Sequence, residues 1–235
     1  MIICALQKLT LIDYPGKLAA TVFLAGCNFR CPWCYSRELV LPKEIKKGAR
    51  ISKKEFFNFL KEKKGLLEGV VICGGEPTLN KDLPEFIQKI KKMGYSVKLD
   101  TNGSNPKMLK KLIDKKLIDY VAMDIKAPLG VKFQTNVKFQ ISKYENEIKK
   151  SVELLKNSGV DFEFRTTVVP TIHKKEDFLK IAKWIGGPKV KYYLQNFRPE
   201  KTIDRKFEKI KPYSEEKLLE IKKAVSPFFK FCQIR

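Results

Sequence analysis

Three cysteines, Cys27, Cys31 and Cys34, fall within eight residues in the order C-x3-C-x2-C. Thiolates this close in sequence converge on one soft metal or cluster only from a loop wrapped around it, and Pro32 disfavours a helix running through that loop. An iron-sulfur cubane normally takes four protein thiolates. A local set of three leaves one iron open to a ligand, as a catalytic zinc keeps one position for substrate. The competing reading is structural zinc, closed by Cys4, Cys73 or Cys232. Such sites usually draw on two C-x2-C pairs, and no second pair exists here. Cys73 ends an apolar run while Cys4 and Cys232 lie near the chain ends, so each reads more simply as a small buried hydrophobe.

Further polar residues interrupt otherwise apolar segments: Gly74-Gly75-Glu76-Pro77, Asp100-Thr101-Asn102-Gly103, Asp124-Ile125-Lys126, and Arg165. Glycines let backbone approach a ligand, carboxylates accept from an ammonium group, and Lys126 and Arg165 suit a carboxylate. Taken singly, each has a plainer use. The two glycines make a tight strand exit, Asp100 and Asn102 serve as turn and cap residues, and Lys126 or Arg165 pairs with Asp124. The one histidine, His173, follows Pro170 at a helix start and reads as structural, which leaves imidazole acid-base chemistry without support.

Elements that position these residues are legible. Six runs rich in β-branched or aromatic residues read as buried strands: Leu18–Ala25, Gly69–Cys73, Ser96–Thr101, Tyr120–Lys126, Val160–Val169 and Val190–Phe197. An amphipathic stretch follows each. Ser52 with Glu55 and Ser142 with Glu145 predict capping boxes, and Asp82 before Pro84 and Ser214 before Glu215 predict two more helix starts. Strand-helix units in series require parallel pairing with right-handed crossovers. Six are too few for a complete eight-stranded barrel, which leaves an open partial barrel or a doubly wound sheet; both bind ligands at the carboxyl ends of the strands, where the polar residues fall. Asp13-Tyr14-Pro15-Gly16 predicts a turn in a short hairpin before the first strand, and Phe228 to Ile234 a closing strand after the last helix.

At 235 residues the chain fits one domain: an N-terminal extension over 1–17, a core over 18–198 and a C-terminal helix and strand over 199–235. The longest apolar runs stop well short of the roughly 18–20 residues that cross a membrane. The N-terminus has no secretory pattern, so a cytoplasmic address is expected. The net charge of +22 suits nucleic acid, an acidic protein or an anionic substrate. Its bases are mostly lysine spread through almost every predicted helix, whereas arginine usually reads phosphates and bases; a solvated lysine-rich surface is the favoured reading and nucleic acid is not.

Together, C-x3-C-x2-C after the first strand, Gly-Gly-Glu-Pro after the second and Asp-Thr-Asn-Gly after the third resemble the radical S-adenosylmethionine superfamily. More narrowly, Asp13-Tyr14-Pro15-Gly16, the stretch Gly26 to Tyr35, Met123-Asp124-Ile125-Lys126 and Arg165-Thr166-Thr167-Val168-Val169-Pro170 resemble the activators of glycyl-radical enzymes. Within these the likeness is to the anaerobic ribonucleoside-triphosphate reductase activating proteins. The resemblance implies an α/β fold with a partial (β/α)6 TIM-type barrel. It also implies a [4Fe-4S] cluster on Cys27, Cys31 and Cys34, whose open iron is chelated by S-adenosylmethionine. Trp33 to Tyr35 would pass the adenine, and Gly74, Gly75 and Glu76 would receive the amino group. Asp100, Asn102, Asp124, Lys126 and Arg165 would surround the methionyl or ribose part, and a monovalent cation sits near such carboxylates in some relatives. The implied partners are a glycyl-radical enzyme, here an anaerobic ribonucleotide reductase, and an external electron donor such as flavodoxin or ferredoxin, because Tyr35 to Ile72 holds no cysteine for a second cluster. Where a related activator has a histidine near the end of its sixth strand, this chain reads Leu194-Gln195-Asn196-Phe197, with Gln195 or Asn196 as the substitute. Two other expectations stand beside this one: a radical enzyme acting on a small metabolite or tRNA, and a non-catalytic metal-binding sensor.

Overall fold

The computed structural model describes residues 1–130 and 140–235. The hydrogen-bonded order of its eight strands follows the chain: β1 (Ile3–Thr10), β2 (Ala19–Leu24), β3 (Gly69–Gly74), β4 (Ser96–Thr101), β5 (Tyr120–Asp124), β6 (Asp161–Val168), β7 (Gly187–Asn196) and β8 (Phe229–Ile234). The helices are α1 (Arg37–Val40), α2 (Pro42–Lys47), α3 (Lys53–Glu62), α4 (Leu83–Lys92), α5 (Pro106–Asp114), α6 (Glu145–Lys156), α7 (Lys175–Ile185) and α8 (Glu215–Val225). All six strands expected from the apolar runs are present, Ser96–Thr101 with both ends as expected and the others with no end shifted by more than three residues. The chain divides into two compact units, one of residues 1–28, 38–101 and 107–121, the other of 29–37, 102–106 and 122–235.

In the first unit β1 runs antiparallel to β2, which is the expected hairpin, and β2, β3 and β4 are parallel. Pairing of β1 shifts register twice, between Ile3 and Ala5 and between Gln7 and Thr10. Val70, Ile72, Val97 and Leu99 are fully buried, as are Phe56 and Leu60 of α3 and Ile87 and Ile90 of α4. Burial of each such side chain is worth roughly 1.5–3 kcal/mol. Phe56 stacks on Phe86 with centroids 5.2 Å apart. The turn before β2 turns Tyr14 inward: it is buried beside Ala19, Val71 and Tyr120, while Asp13 accepts a 2.8 Å hydrogen bond from the Thr21 hydroxyl.

In the second unit β6, β7 and β8 are parallel, so the closing strand is real and starts one residue later than expected. Phe164 and Val168 of β6 and Phe178, Ile181 and Ile185 of α7 are fully buried, and Tyr192 stacks on Phe229 at 4.6 Å.

One predicted helix start is corrected. Ser142 lies inside a 3-10 turn (Gln140–Tyr144) and α6 begins at Glu145, so the Ser142–Glu145 capping box does not form. Glu145 instead accepts from the Gly130 amide at 2.9 Å and pairs with Lys149. α4 starts where expected, with Asp82 at the N-cap position and Pro84 in the first turn, although the Asp82 carboxylate goes to the Lys53 ammonium at 2.7 Å and not to an amide. Ser52 and Ser214 do cap, accepting from the amides of Glu55 and Lys217.

Candidate active site

In the first unit, Cys27 follows directly on the exit of β2. Glycine is required where β3 leaves beside it. A side chain on Gly74 would come within 2.2 Å of the Leu24 carbonyl at a φ of +122°, and one on Gly75 within 2.1 Å of the Gly26 carbonyl. Backbone hydrogen bonds fill that contact: Gly75 donates to Leu24 at 2.8 Å and Glu76 to Gly26 at 2.7 Å. The residue before Cys27 is thus clamped between strand exits. Glu76 is buried, and its Oε1 accepts from the Thr78 amide (3.1 Å), the Thr78 hydroxyl (2.5 Å) and the Thr101 hydroxyl (2.8 Å). That oxygen ties the end of β3 to the end of β4. Asp100 pairs at 2.5 Å with Lys98, whose side chain is 1% exposed. Lys98 was not singled out from the sequence, although i, i+2 spacing in a strand places it on the face of Asp100.

The second unit holds Cys31 and Cys34. The Cys34 amide donates to the Cys31 carbonyl, and a later segment pins the turn, Ile203 donating to Cys34 and Asp204 to Pro32, all three at 3.0 Å. Trp33 is buried, with ring centroids 6.0 Å from His173 and 6.5 Å from Phe207, whereas Tyr35 is 56% exposed. Asn102 is buried and folded back, its Oδ1 accepting from the Ser104 amide at 2.9 Å.

Asp124 ends β5 and faces two cations, Arg165 Nε at 2.9 Å and Lys126 Nζ at 3.3 Å. Burial works to raise its pKa, and the charges of Arg165 and Lys126 with their hydrogen bonds outweigh burial, holding it at about 2. The plain expectation of pairing therefore holds for both cations. After β5 the chain fastens onto β6: the Ile125 amide donates to the Arg165 carbonyl, and the Thr166 hydroxyl donates to the Ile125 carbonyl, both at 2.8 Å. On β7 the two candidates for the missing histidine separate. Asn196 is committed, donating from Nδ2 to the Tyr213 carbonyl and accepting from the Phe197 amide. Gln195 sits in register with Thr167, on the face that also carries Arg165 and Tyr193. A cluster not anticipated from the sequence lies lower on these strands: fully buried Glu163 accepts from Arg235 at 2.7 and 3.3 Å, and the Arg235 guanidinium lies 3.4 Å from the Tyr193 ring centroid.

Among the described residues no three His, Cys, Asp or Glu side chains converge closely enough to hold a single ion. Mononuclear zinc needs that convergence. A cubane does not, because each thiolate binds a different iron. An all-thiol donor set fits an iron-sulfur cluster, whereas the space beside Gly74 and Gly75 is taken up by the backbone of Leu24 and Gly26. Asp100 and Asp124, the residues where a monovalent cation was entertained, already have cationic side chains against them.

The family model described as Radical SAM superfamily matches residues 21–185. A protein of Methanocaldococcus jannaschii, provisionally named a glycyl-radical enzyme activating enzyme, is 37% identical over 240 residues, spanning 100% of this chain and 95% of that one. The 7-carboxy-7-deazaguanine synthase of Aquifex aeolicus is 35% identical over 89 residues, 38% of each chain. Among solved structures, Streptococcus suis SuiB bound to precursor peptide SuiA superposes with a TM-score of 0.68 at 13% identity, covering 91% of this chain and 48% of that one, a likeness of fold alone. The α/β fold is that of a partial barrel. With the cysteine motif inside a family match that spans most of its length, this chain belongs to the radical S-adenosylmethionine superfamily.

Proposed function

We propose that this radical S-adenosylmethionine enzyme generates a glycyl radical on a partner enzyme, and that the partner is an anaerobic ribonucleotide reductase. The observation that carries the reading is identity sustained over the whole length of a chain named as an activator, whereas the similarity to the deazaguanine synthase covers about two fifths of each chain.

In this reading Cys27, Cys31 and Cys34 hold a [4Fe-4S] cluster. When bound, the cluster and S-adenosylmethionine supply an electron transfer that splits the cofactor to methionine and a deoxyadenosyl radical able to take hydrogen from a glycine. The protein's own work is positional. Gly74 and Gly75 let the ends of β2 and β3 meet closely, and Glu76 ties that backbone to Thr78 and Thr101, where the cofactor's amino end would be received. Asp124, held ionised, aims Arg165 and Lys126, the two cations that suit a carboxylate. Trp33 shapes the wall beside the cysteine turn, and exposed Tyr35 stands where a ligand or partner loop can meet it. Electrons come from outside, from a flavodoxin or ferredoxin, because Tyr35 to Ile72 holds no cysteine for a second cluster.

The test is anaerobic reconstitution followed by electron paramagnetic resonance with and without S-adenosylmethionine, a deoxyadenosine assay, and addition of the reductase. A cluster signal altered by the cofactor, deoxyadenosine, and a glycyl doublet on the reductase are expected. Deoxyadenosine without a doublet on any glycyl-radical enzyme, but with consumption of a small metabolite, would move the protein to the small-molecule branch.

A further inference from the structure

His173 is 1% exposed and both its ring nitrogens are engaged. The Val169 amide donates to Nδ1 at 3.1 Å, so Nδ1 carries no proton. The proton is then on Nε2, which donates to the Lys126 carbonyl at 3.0 Å. The ring also meets Trp33 edge-on and Phe178 at 5.3 Å. Its own carbonyl accepts from the Tyr213 hydroxyl at 3.1 Å. A single imidazole therefore joins the peptide of Lys126, the indole inside the Cys31–Cys34 turn, and the loop that follows β6. No other neutral side chain offers an acceptor and a donor on opposite sides of a flat ring; phenylalanine would keep the packing and lose both bonds.

We propose that His173 is a positioning residue, locked as the neutral Nε2–H tautomer, which sets the Lys126 peptide and the Trp33 ring in one arrangement before the cofactor arrives. The inference rests on the reading of Lys126 and Trp33 as cofactor-pocket residues. It assigns His173 no contact with the reacting atoms. Its effect is preorganisation: misplacing a binding group by about 1 Å is enough for a large loss.

Because the chain has one histidine, imidazole nitrogen-15 labelling followed by nuclear magnetic resonance reports this ring alone, in protein without cluster. A neutral Nε2–H pattern at pH 7 is expected, and the opposite tautomer or a protonated ring would overturn the proposal. The second measurement uses a Trp184→Phe background, in which Trp33 is the sole tryptophan. His173→Phe should red-shift Trp33 emission and weaken S-adenosylmethionine binding to the reconstituted protein about tenfold, with cluster content unchanged. His173→Gln, which can still donate to Lys126, should recover most of the affinity; His173→Asn, which retains only the acceptor side, should not. Equal affinity in the Gln and Asn variants, or wild-type affinity in the Phe variant, would sink the idea. If His173→Phe does not fold, the Gln and Asn pair decides. A wild-type protein that carries no cluster or binds no S-adenosylmethionine would instead strike at the cofactor reading, a failure the tautomer measurement does not share.

Discussion

Two regions of the molecule, the Gly74-Gly75-Glu76 stretch of the first unit and the Asp124 cluster of the second, are held by different means. In the first, Cys27 and the Gly74-Gly75-Glu76 stretch are fixed by backbone against backbone, with Cβ clearances near 2 Å and a carboxylate oxygen saturated by threonines. In the second, Asp124, Lys126, Arg165 and His173 are fixed by charged and titratable side chains. Steric fixation fails abruptly on substitution and ignores pH. Electrostatic fixation fails by degrees and follows proton concentration.

The largest expected effect tests the first half of that contrast. Gly75→Ala pushes a methyl group into the Gly26 carbonyl, an overpacking cost of about 3 kcal/mol. Calorimetry should show Tm down by roughly 6–12 °C, with cluster content reduced and no change in pH dependence. A Tm within 2 °C of wild type would remove the contrast.

Next comes the pH profile of stability, which tests the second half. Burial holds His173 neutral with a pKa lowered to about 4 from 6.5, against small raising effects from its bond to Lys126 and from Asp177. The unfolded chain therefore takes up this proton first, so the contribution is fully present above pH 6.5 and is lost as pH falls toward 4, about 3 kcal/mol in all. Denaturant unfolding at stepped pH should show that slope in wild type and not in His173→Phe. Asp124 titrates lower: its contribution is present above pH 3.8 and lost as pH falls toward 2.

Arg165→Met should cost less, about 1–2 kcal/mol, because Asp124 keeps Lys126 and is 30% exposed, so solvent screens part of the loss. Cofactor affinity should fall in the same variant, by more than in Lys126→Met, since Lys126 stands farther from the carboxylate. The smallest effect serves as the control. Lys110→Ala breaks an exposed i, i+4 pair with Asp114 and should change stability by less than about 0.5 kcal/mol, less still in high salt.

How far each region was legible follows the same division. The close packing of Gly74 and Gly75 on the end of β2 was legible as the tight strand exit, and the three cysteines pointed to the class of chemistry. Lys98 was overlooked because a lysine in a strand that reads as buried looks like an exception; its partner two residues on, Asp100, was the signal that it turns inward. The Ser142–Glu145 pattern matched a capping box and lost to a 3-10 turn, which places Ser142 inside the turn and not at the helix start. His173 read as structural because its partners, Lys126 and Trp33, are distant in sequence, and no local pattern encodes a contact across strands. Arg235 on Glu163 was invisible for the same reason.

One feature of the hairpin reaches beyond the site. Among the described residues β1 ends the strand order, with no strand beyond it and one bridge from Ile51 to Ile3, the kind of edge on which a second chain can add. Its two register shifts interrupt the regular spacing of outward amide and carbonyl groups, and Lys8 adds charge near the second shift. Such an edge is a poor template for cross-β growth. Straightening β1, by deleting the residue that each irregularity accommodates, should therefore produce a protein with an intact cysteine turn that clumps on concentration, a colloidal defect and not a catalytic one.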